Sequence, residues 1–452
     1  MANEETTPPK PENQNDPNKE RLAYRYDQTY RGHIPVITAL NPGNFLGEAL
    51  RPILFKVMDF LSEVGVDFGA VDVIAIDGLP TLHITGSSKP ENFEDEIIPI
   101  LREMLRVDGE YMIRYGVGAV RRGSVLSLSE YRRASRPGQS VGVQGIGWSS
   151  GTMGGFLVGK KPELQGHCFG MSCHHVLLPT KKSATAEEEE GILVPVHLKP
   201  LNMVHKALGW NFSSEVIVES PSLGDHRDTI SNLKTSRRDA EQELEKLEEK
   251  FKVTKERIST TRRSFWQGLI ADAQQQLKKL EVFDRKAGVV IATSGYKVDP
   301  QTRMTLDWGL VKMANNKTWK NIVTPVTRAT GKWHIWAAYP DYKITDIGDP
   351  AEGDEVFKVG RSGESYGVIS CIPHGINLME NGTTTSEWTI VGHKNREFAE
   401  GGDSGSWVLN TKGELVGMVF AENEDLHLAY LTPIKLILED IKRQTGKAFA
   451  II

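Results

Sequence analysis

Apolar residues in the first part of the chain follow first a helical and then a strand period. Within Leu50–Val64 they recur three and four residues apart, which predicts a helix. Two strand-like runs, Val71–Ile76 and Thr81–Ile84, flank Asp77–Pro80 and predict a hairpin. Glu94–Leu105 predicts a second helix, which Pro99 either kinks or starts. Residues 23–125 are therefore expected to form a separate α+β accessory domain.

A longer helical pattern begins at Ile230, where apolar residues stand among Glu, Lys and Arg at the spacing of a coiled-coil seam. They are Ile230, Leu233, Ala240, Leu244, Leu247, Phe251 and Ile258, with polar breaks at Arg237 and Thr254. A second stretch continues the helical period, with Phe265, Leu269, Ala273, Leu277 and Leu280. One helix over Asp228–Phe283 would be about 84 Å long, so a hairpin that turns near Ser259–Arg263 is predicted. This segment, about residues 225–285, either packs only on itself or is an arm for oligomerisation or a partner protein.

Outside these patterns the chain has two segments of biased composition. Residues 1–22 are rich in Pro, Asn, Glu and Lys and are predicted to be a disordered tail. Residues 126–138 are rich in Arg and Ser and are predicted to be a linker. Near the end, Leu428–Ile434 predicts a strand and residues 433–445 predict a helix, with Pro433 tolerated in its first turn.

The segment Gly401–Ser406 carries the strongest chemical signal and lies between two strand-like runs. A serine becomes a nucleophile when a base takes its proton and donors receive the developing oxyanion. Glycine permits a turn that aims the N–H groups of Gly402 and Ser404 at one point. The same motif occurs in ordinary surface turns, so it indicates catalysis only together with a base and an acid.

Two upstream segments hold candidates for those groups. His174 and His175 stand beside an apolar run, and Asp307 is a single carboxylate in the strand-like stretch Met304–Lys312. A buried carboxylate is costly unless it is paired, and a histidine N–H is a suitable partner. The chain order is then His, Asp, Ser. Taken singly, His175 also fits a packed strand-end histidine, and Asp307 a paired structural acid.

Together these segments resemble those of the chymotrypsin-like (trypsin-fold) serine peptidases. Ser172–Val176 is similar to the family's Thr-x-x-His segment, which makes His175 rather than His174 the base. Asp307–Lys312 is similar to Asp-Ile-Ala-Leu-Leu-Lys, and Gly402–Ser406 to Gly-Asp-Ser-Gly-Gly. Two further strands of the family are resembled by Gly151–Val158 and Val356–Gly363. The resemblance covers residues 138–446 and implies a mainly β peptidase domain (139–446) of two six-stranded antiparallel barrels, carrying the helical insertion.

The resemblance also implies roles for the site residues. Ser404 would attack the scissile carbonyl, His175 would relay the proton, and Asp307 would orient the imidazole. The amides of Gly402 and Ser404 would form the oxyanion hole. The implied function is a serine endopeptidase that acts on protein or peptide substrates through an acyl-enzyme. The alternative is a catalytically silent pseudopeptidase that binds partners through its helical insertion.

One departure from the family concerns the residue before the serine. Many members pair that Asp with an amine that is freed by cleavage at an Ile-Val-Gly-Gly start. Asp403 is present here, but no such start precedes residue 140. Asp403 therefore needs another partner, or the site is only partly formed.

Substrate selection is indicated by two conflicting signals. Phe420, Ala421 and Glu422 stand where the family has its substrate-binding strand, and would pair with the substrate backbone by strand addition. Glu422 favours a basic side chain at the cleavage position. Phe398, expected at the pocket floor, favours a small or apolar one.

Composition narrows the setting of the protein. Three cysteines in 452 residues are few for a secreted peptidase, and the first residues have no apolar signal core. No run of about 18 apolar residues predicts a membrane span. A net charge of −5 argues against nucleic acid as a partner. A cytoplasmic protein without membrane or nucleic-acid contacts is predicted.

The cysteines and their histidine neighbours invite one more hypothesis. His167–Cys168 and Cys173–His175 form a Cys/His cluster whose spacing fits no common pattern of zinc ligands. Neither a metal nor another cofactor is therefore expected, and the thiols are expected to be free.

Overall fold

The computed structural model describes residues 36–86, 88–107, 109–117, 120–121, 134–179, 216–254, 260–315, 318–323, 341–370, 374–376, 384–393, 396–423 and 425–452. The predicted disordered tail (residues 1–22) and most of the predicted linker (residues 126–133) lie outside the described residues.

The described α-helices fall into three groups: those of the N-terminal region, a long pair inside the peptidase-like region, and two that flank the site. They are α1 (Phe45–Leu50), α2 (Leu54–Glu63), α3 (Ile98–Leu105), α4 (His174–Leu177), α5 (Leu223–Thr254), α6 (Thr260–Glu281) and α7 (Ile434–Thr445). A π-turn, Phe93–Ile97, precedes α3, and a 3-10 turn covers Pro162–Leu164. Pro99 lies in the first turn of α3, so it starts that helix.

Most described strands are short and antiparallel. The strands of the N-terminal region are β1 (Ile37–Thr38), β2 (Ala70–Ile76), β3 (Leu79–Gly86), β4 (Met112–Val117), β5 (Val120–Arg121) and β6 (Ala134–Ser135). The next group is β7 (Gln139–Val143), β8 (Gly151–Met153), β9 (Gly155–Gly159), β10 (Cys168–Ser172), β11 (Ile217–Glu219), β12 (Lys286–Thr293), β13 (Lys297–Val298), β14 (Thr305–Leu306), β15 (Gly309–Met313), β16 (Thr318–Trp319), β17 (Ile322–Val323) and β18 (Tyr342–Lys343). The last group is β19 (Glu355–Gly360), β20 (Gly363–Ile369), β21 (His374–Ile376), β22 (Thr385–Gly392), β23 (Trp407–Asn410), β24 (Leu415–Asn423), β25 (Leu428–Pro433) and β26 (Phe449–Ile451).

Two β units form the body of the protein, which confirms the predicted mainly β fold. In the second unit six antiparallel strands close into a barrel in the order β20, β19, β23, β24, β25, β22 and back to β20. The first unit is an open eight-stranded sheet in the order β26, β9, β10, β15, β12, β11, β7, β8. It is thus a half-barrel rather than a closed six-stranded one, and the C-terminal strand β26 extends it by pairing with β9.

Side-chain alternation explains why both faces of the barrel strands are apolar. On β19 and β23, Val356 and Val408 pack inside the barrel, whereas their neighbours Phe357 and Leu409 join the large core shared with the first unit. Successive side chains of a strand point to opposite faces, so each strand supplies both cores. The candidate site residues lie on turns at the border between these two packed units.

The described part of the predicted accessory domain consists of β2, β3 and β4 covered by α1 to α3. Its sheet continues into the barrel because β21 pairs with β2 on one side and with β22 on the other. Buried polar contacts strengthen this junction. Asn423 donates to Asp72 Oδ2 and to Thr85 Oγ1 at 3.0 Å each, and His83 Nε2 lies 2.8 Å from Asp425 Oδ2. Placing the boundary of this domain near residue 125 stays a prediction.

The helical insertion lies between β11 and β12, as two long helices whose inner faces pack together near their base. Of the predicted apolar positions, Leu233, Ala240, Ala273, Leu277 and Leu280 are buried. Phe265 and Leu269 continue the helical period within α6, as predicted, but they are 56% and 41% exposed and so lie outside its buried face. The turn was misplaced, because Thr260–Arg263 already belong to α6. Residues 255–259 and the side chains at 250–261 lie outside the described part.

Glu387 on β22 offers a test of this fold by pH. Its carboxylate is fully buried and accepts a hydrogen bond from Thr305 N at 2.7 Å. Burial raises the pKa of Glu387 to about 7, against the bonds from Thr305 and Thr385, which lower it. The folded protein therefore holds a proton that the unfolded chain releases above about pH 4.5, so this group lowers stability as pH rises from about 4.5 to 7.

We expect Glu387→Gln to remove this decline and to raise the free energy of unfolding at pH 8 by up to about 3 kcal/mol. Urea unfolding of the wild type and the variant at pH 5 and pH 8 measures it. Glu439→Gln, at an exposed position of α7, is the matched control. Equal pH dependence of wild type and Glu387→Gln would contradict the assignment.

Candidate active site

The structure brings His175 and Asp307 into contact. His175 lies in α4, the one-turn helix that begins two residues after β10 ends. Its Nδ1 is 2.6 Å from Asp307 Oδ2, and its backbone N–H donates to Asp307 Oδ1 at 3.1 Å. The imidazole is 11% exposed, whereas the carboxylate is fully buried. This arrangement fixes the ring and leaves one edge of it accessible.

Asp307 is held in place by the hydrogen bonds of its neighbour Trp308. The Trp308 backbone N–H donates to Ser294 Oγ, and its indole N–H donates to Asp440 Oδ2, each at 2.8 Å. Burial would raise the pKa of Asp440, but hydrogen bonds from Lys297, Arg443 and Trp308 outweigh it and lower that pKa. Asp440 thus stays charged and anchors the turn that carries Asp307.

Asp440 was missed from the sequence, although a signal was present. It lies on the same face of α7 as the buried Ile437 and Ile441, at a position where a solvated helix would carry an apolar residue. A charged residue on an apolar helix face needs a buried partner. The sequence alone does not reveal that this partner is Trp308.

Ser404 lies in the turn that leads into β23. Gly402 and Gly405 on either side have φ of +96° and +100°, a region that side chains disfavour. Ser404 is 5% exposed, and its hydroxyl donates to the Phe420 carbonyl at 3.1 Å. The Gly-x-Ser-Gly pattern therefore has a local cause, since both glycines are needed for the turn.

One carbonyl joins the serine turn to the histidine segment. Val419 O accepts from the Gly405 N–H at 2.8 Å and from the Cys173 thiol at 3.4 Å. Thr152 N also donates to Ser404 O at 2.9 Å. The three predicted segments therefore converge on one site between the two β units.

The backbone amides of the serine turn divide into two groups. The N–H groups of Asp403, Gly405 and Ser406 donate to backbone carbonyls at 2.8–2.9 Å. Among the described residues, the N–H groups of Gly402 and Ser404 have no protein acceptor. Both amides that the sequence assigned to an oxyanion hole are thus without an acceptor in the described part of the chain, as is the N–H of Gly401, and their assignment stays a prediction.

Asp403 pairs with a residue that the sequence motifs did not identify. Lys358 on β19 places its Nζ 2.7 Å from Asp403 Oδ2, and both side chains are fully buried. A signal was present here too, because Lys358 stands among the alternating apolar residues of Val356–Gly360. A lysine at such a position predicts a buried acid as its partner.

The same strand end ties the helical insertion to the serine turn. Arg361 donates from Nε to Asp225 Oδ2 at 2.9 Å, and its Nη2 donates to Asp225 Oδ1. Its Nη1 donates to the Gly401 carbonyl at 3.1 Å. Asp225 belongs to the first turn of α5 and is 1% exposed. The base of the insertion is therefore linked through one guanidinium to the residue that begins the turn.

The predicted substrate strand lies in β24. Phe420, Ala421 and Glu422 are buried there, and β5 of the N-terminal region pairs with the end of the strand. Arg121 lies opposite Glu422, and Val120 lies opposite Asn423. The chain itself thus takes the position of a paired strand at these two residues.

Phe398 has a different environment from the other substrate-binding candidates. It is fully buried in the core of the closed barrel, with Val356, Ile369 and Ile390 in the same cluster. Its role as a pocket floor stays a prediction.

One group of side chains in the described part of the chain could hold a metal ion. The ligand atoms of Cys173, His175 and Asp307 all lie within 4.8 Å of one another. Two of these residues form the short Asp–His contact, and the thiol donates to Val419 O. Their protein partners account for the arrangement, so we assign no metal to it. Cys168 and Cys173 carry free thiols.

Comparison with known families follows this geometry. The model of peptidase family S64 matches residues 138–451, more than half of the chain. The chain belongs to peptidase family S64. The predicted relationship to chymotrypsin-like serine peptidases is thereby confirmed, and this S64 protein is a serine-type peptidase.

The solved structures to which the S64 chain is similar include two proteases. A chymotrypsin of Cellulomonas bogoriensis is 15% identical, with a TM-score of 0.25 over 36% of this chain and 75% of that one. A protease of M. tuberculosis in its active form is also 15% identical, with a TM-score of 0.21 over 38% of this chain and 68% of that one. These similarities are too low to support functional conclusions. No match was found among curated proteins.

A search of the described helices for membrane spans found none that is both long and apolar enough.

The buried link at Arg361 generates a prediction about stability. Asp225→Ala leaves the Arg361 guanidinium buried without its carboxylate, which should lower the free energy of unfolding by about 3–5 kcal/mol. Asp228→Ala, at an exposed position of the same helix, should change it by less than about 0.5 kcal/mol. Urea unfolding of both variants decides, and a similar loss in both would show that the link adds nothing.

Proposed function

We propose that this S64 peptidase is an endopeptidase that cleaves peptide bonds through Ser404, His175 and Asp307 with an acyl-enzyme intermediate. The observation that carries the proposal is the 2.6 Å contact between His175 Nδ1 and the buried Asp307 carboxylate. It favours the tautomer in which Nδ1 carries the proton and Nε2 is the nitrogen that can accept one. The nearby turn presents Ser404 between two glycines of positive φ.

The proposed steps use groups of this chain alone. Ser404 Oγ attacks the scissile carbonyl while its proton passes to His175 Nε2. The C–N bond then breaks, and the leaving amine takes that proton. Water deprotonated by the same nitrogen attacks the ester carbonyl, the bond to Ser404 Oγ breaks, and the proton on Nε2 returns to Ser404 Oγ as the acid leaves. Asp307 remains ionised throughout and stabilises the imidazolium.

Two features of the turn bear on the first step. The Ser404 hydroxyl donates to Phe420 O in this structure, so it must rotate away to give its proton to His175. The Gly402 and Ser404 amides can then receive the carbonyl oxygen as it becomes an oxyanion, a contribution of about 10²–10³ in rate for each donor in comparable enzymes.

The register of β5 suggests how a substrate pairs. Ser404 lies at Phe420, so the residue whose carbonyl is attacked would stand opposite Phe420. The residue opposite Glu422 then comes two positions earlier in the substrate. The chain's own residue at that register is basic, Arg121. We therefore expect Glu422 to favour a basic side chain two residues before the cleavage position and not at the cleavage position itself.

Pairing has a second consequence. A peptide that adds to β24 at Glu422 and Asn423 has to take the place of β5. The N-terminal region thus competes with substrate in this conformation.

The thiols of Cys168 and Cys173 form no disulfide, which is typical of a reducing compartment. This supports a cytoplasmic location, which we propose for the protein.

A second candidate function is binding without catalysis through the helical insertion. It is favoured by Phe265 and Leu269, which expose 56% and 41% of their surface on α6. Exposed apolar side chains on one helix suit a partner protein or a second copy of the chain. This interaction is also compatible with a working peptidase.

Covalent labelling with a fluorophosphonate tests the catalytic assignment. The wild type should react, whereas Ser404→Ala and His175→Ala should not, since the nucleophile or its base is gone. The rate should fall at acidic pH, because a protonated imidazole cannot act as the base. His174→Ala is the matched control and should still react. An unreactive wild type would favour the binding candidate.

A peptide library tests the pairing. Substrates with Arg or Lys two residues before the cleavage position should be preferred. In Glu422→Gln their kcat/KM should fall by about tenfold or more, because a buried charge loses its partner. Peptides with apolar residues at that position serve as the internal control and should be unaffected. An equal change for both peptide sets would remove Glu422 from substrate selection.

A further inference from the structure

The Asp403 carboxylate gathers contacts from three separate places in the chain. Lys358 Nζ lies 2.7 Å from Oδ2, the Ser362 N–H donates to Oδ1 at 2.9 Å, and the Glu400 N–H donates to Oδ2 at 2.9 Å. The Ser362 hydroxyl adds a further bond at 2.5 Å. In the described part of the chain, Lys358 is the cation that contacts this carboxylate.

The Lys358 side chain is also fixed in position, like the Asp403 carboxylate that it contacts. It is fully buried on β19, which is paired with β20 on one side and with β23 on the other. Its Nζ also lies 3.2 Å from Ser362 Oγ. A buried ammonium is stable only with a carboxylate beside it. The closed barrel therefore fixes the position from which Asp403 is held.

Asp403 stands between the two amides that face the site. Gly402 before it has φ of +96°, and its carbonyl accepts from Thr152 Oγ1 at 2.8 Å. A glycine peptide can flip readily between φ regions. The Gly402 N–H shares its peptide with the Gly401 carbonyl, which accepts from Arg361 Nη1 at 3.1 Å. On the C-terminal side of Gly402, its direction depends on Thr152 and on the pair formed by Asp403 with Lys358.

We propose that Lys358 is a positioning residue for the S64 peptidase reaction: its ammonium group holds Asp403 and so keeps the Gly402 and Ser404 amides aimed at the oxyanion. The charge comes from within β19 and not from an amine that cleavage would have to create. This inference rests on the proposed function, because it assigns the oxyanion hole to these two amides.

Removal of the ammonium group should release the turn. In Lys358→Met the Asp403 carboxylate is left buried without a cation, which favours its movement toward water. The Gly402 peptide would turn with it and lose its aim. Loss of one oxyanion donor lowers kcat by about 10²–10³ with little change in KM.

Two measurements on the full-length chain test this. The first is hydrogen exchange of the amides in residues 401–406, which we expect to be at least tenfold faster in Lys358→Met. The second is the rate of fluorophosphonate labelling, expected to be at least 100-fold slower. Lys435→Met is the matched control, since it removes an exposed lysine that pairs with Asp349 at 2.5 Å and should change neither measurement.

A second substitution separates charge compensation from packing. Asp403→Asn in the Lys358→Met background removes the uncompensated charge, while its side-chain oxygen can still accept from Ser362 N and Glu400 N. The double variant should recover labelling to within about tenfold of the wild type. Failure of this recovery in a folded double variant overturns the proposal. Should Lys358→Met not fold, the double variant alone decides in the same way.

The outcomes also separate this inference from the proposed function. If the wild type labels and Lys358→Met labels equally fast, Lys358 does not position the site. If the wild type does not label at all, the proposed peptidase chemistry fails. The exchange comparison still decides in that case whether Lys358 holds the turn, and unchanged exchange overturns it.

Discussion

Four carboxylates lie almost without solvent around the candidate active site, and the geometry of the site depends on how each is satisfied. Asp225, Asp307, Asp403 and Asp440 are 0–1% exposed. An unpaired buried charge costs several kcal/mol, so each carboxylate requires a donor at a fixed place. Those donors come from elements far apart in sequence. Each contact between a carboxylate and its donor therefore holds two such elements together.

The partners show how the two β units and the helices are joined. Asp307, between β14 and β15, contacts His175, and Asp440 of α7 holds Trp308 beside it. Within the barrel, Lys358 holds Asp403. Arg361 connects the base of the helical insertion with Gly401. The insertion, which the sequence pattern presents as an independent arm, is therefore joined at its base to the turn that carries Ser404.

Much of this could be expected from the sequence, for reasons that are local. The period of Leu54, Val57, Met58 and Leu61 is that of a helix, and the observed helix differs only at its ends. The chymotrypsin-like motifs indicated the fold and the peptidase family, and both are confirmed. Phe265 and Leu269 follow the helical period and are nevertheless exposed, because period alone does not show how far along a hairpin two helices stay in contact. The sequence also did not predict that the first sheet is open, because its strands β26 and β9 pair across nearly 300 residues.

By itself, the sequence determined the period of each element, the glycines that the serine turn requires, and the residue types from which a nucleophile, base and acid can be drawn. These properties depend on neighbours within a few residues. Only the tertiary structure decided that Lys358 meets Asp403, that Asp440 meets Trp308 and that β5 lies along β24. A charged residue in an apolar stretch indicates that it has a partner of opposite charge, but the sequence does not show which acid or base that partner is. Packing of the barrel against the open sheet selects which one comes within hydrogen-bond distance.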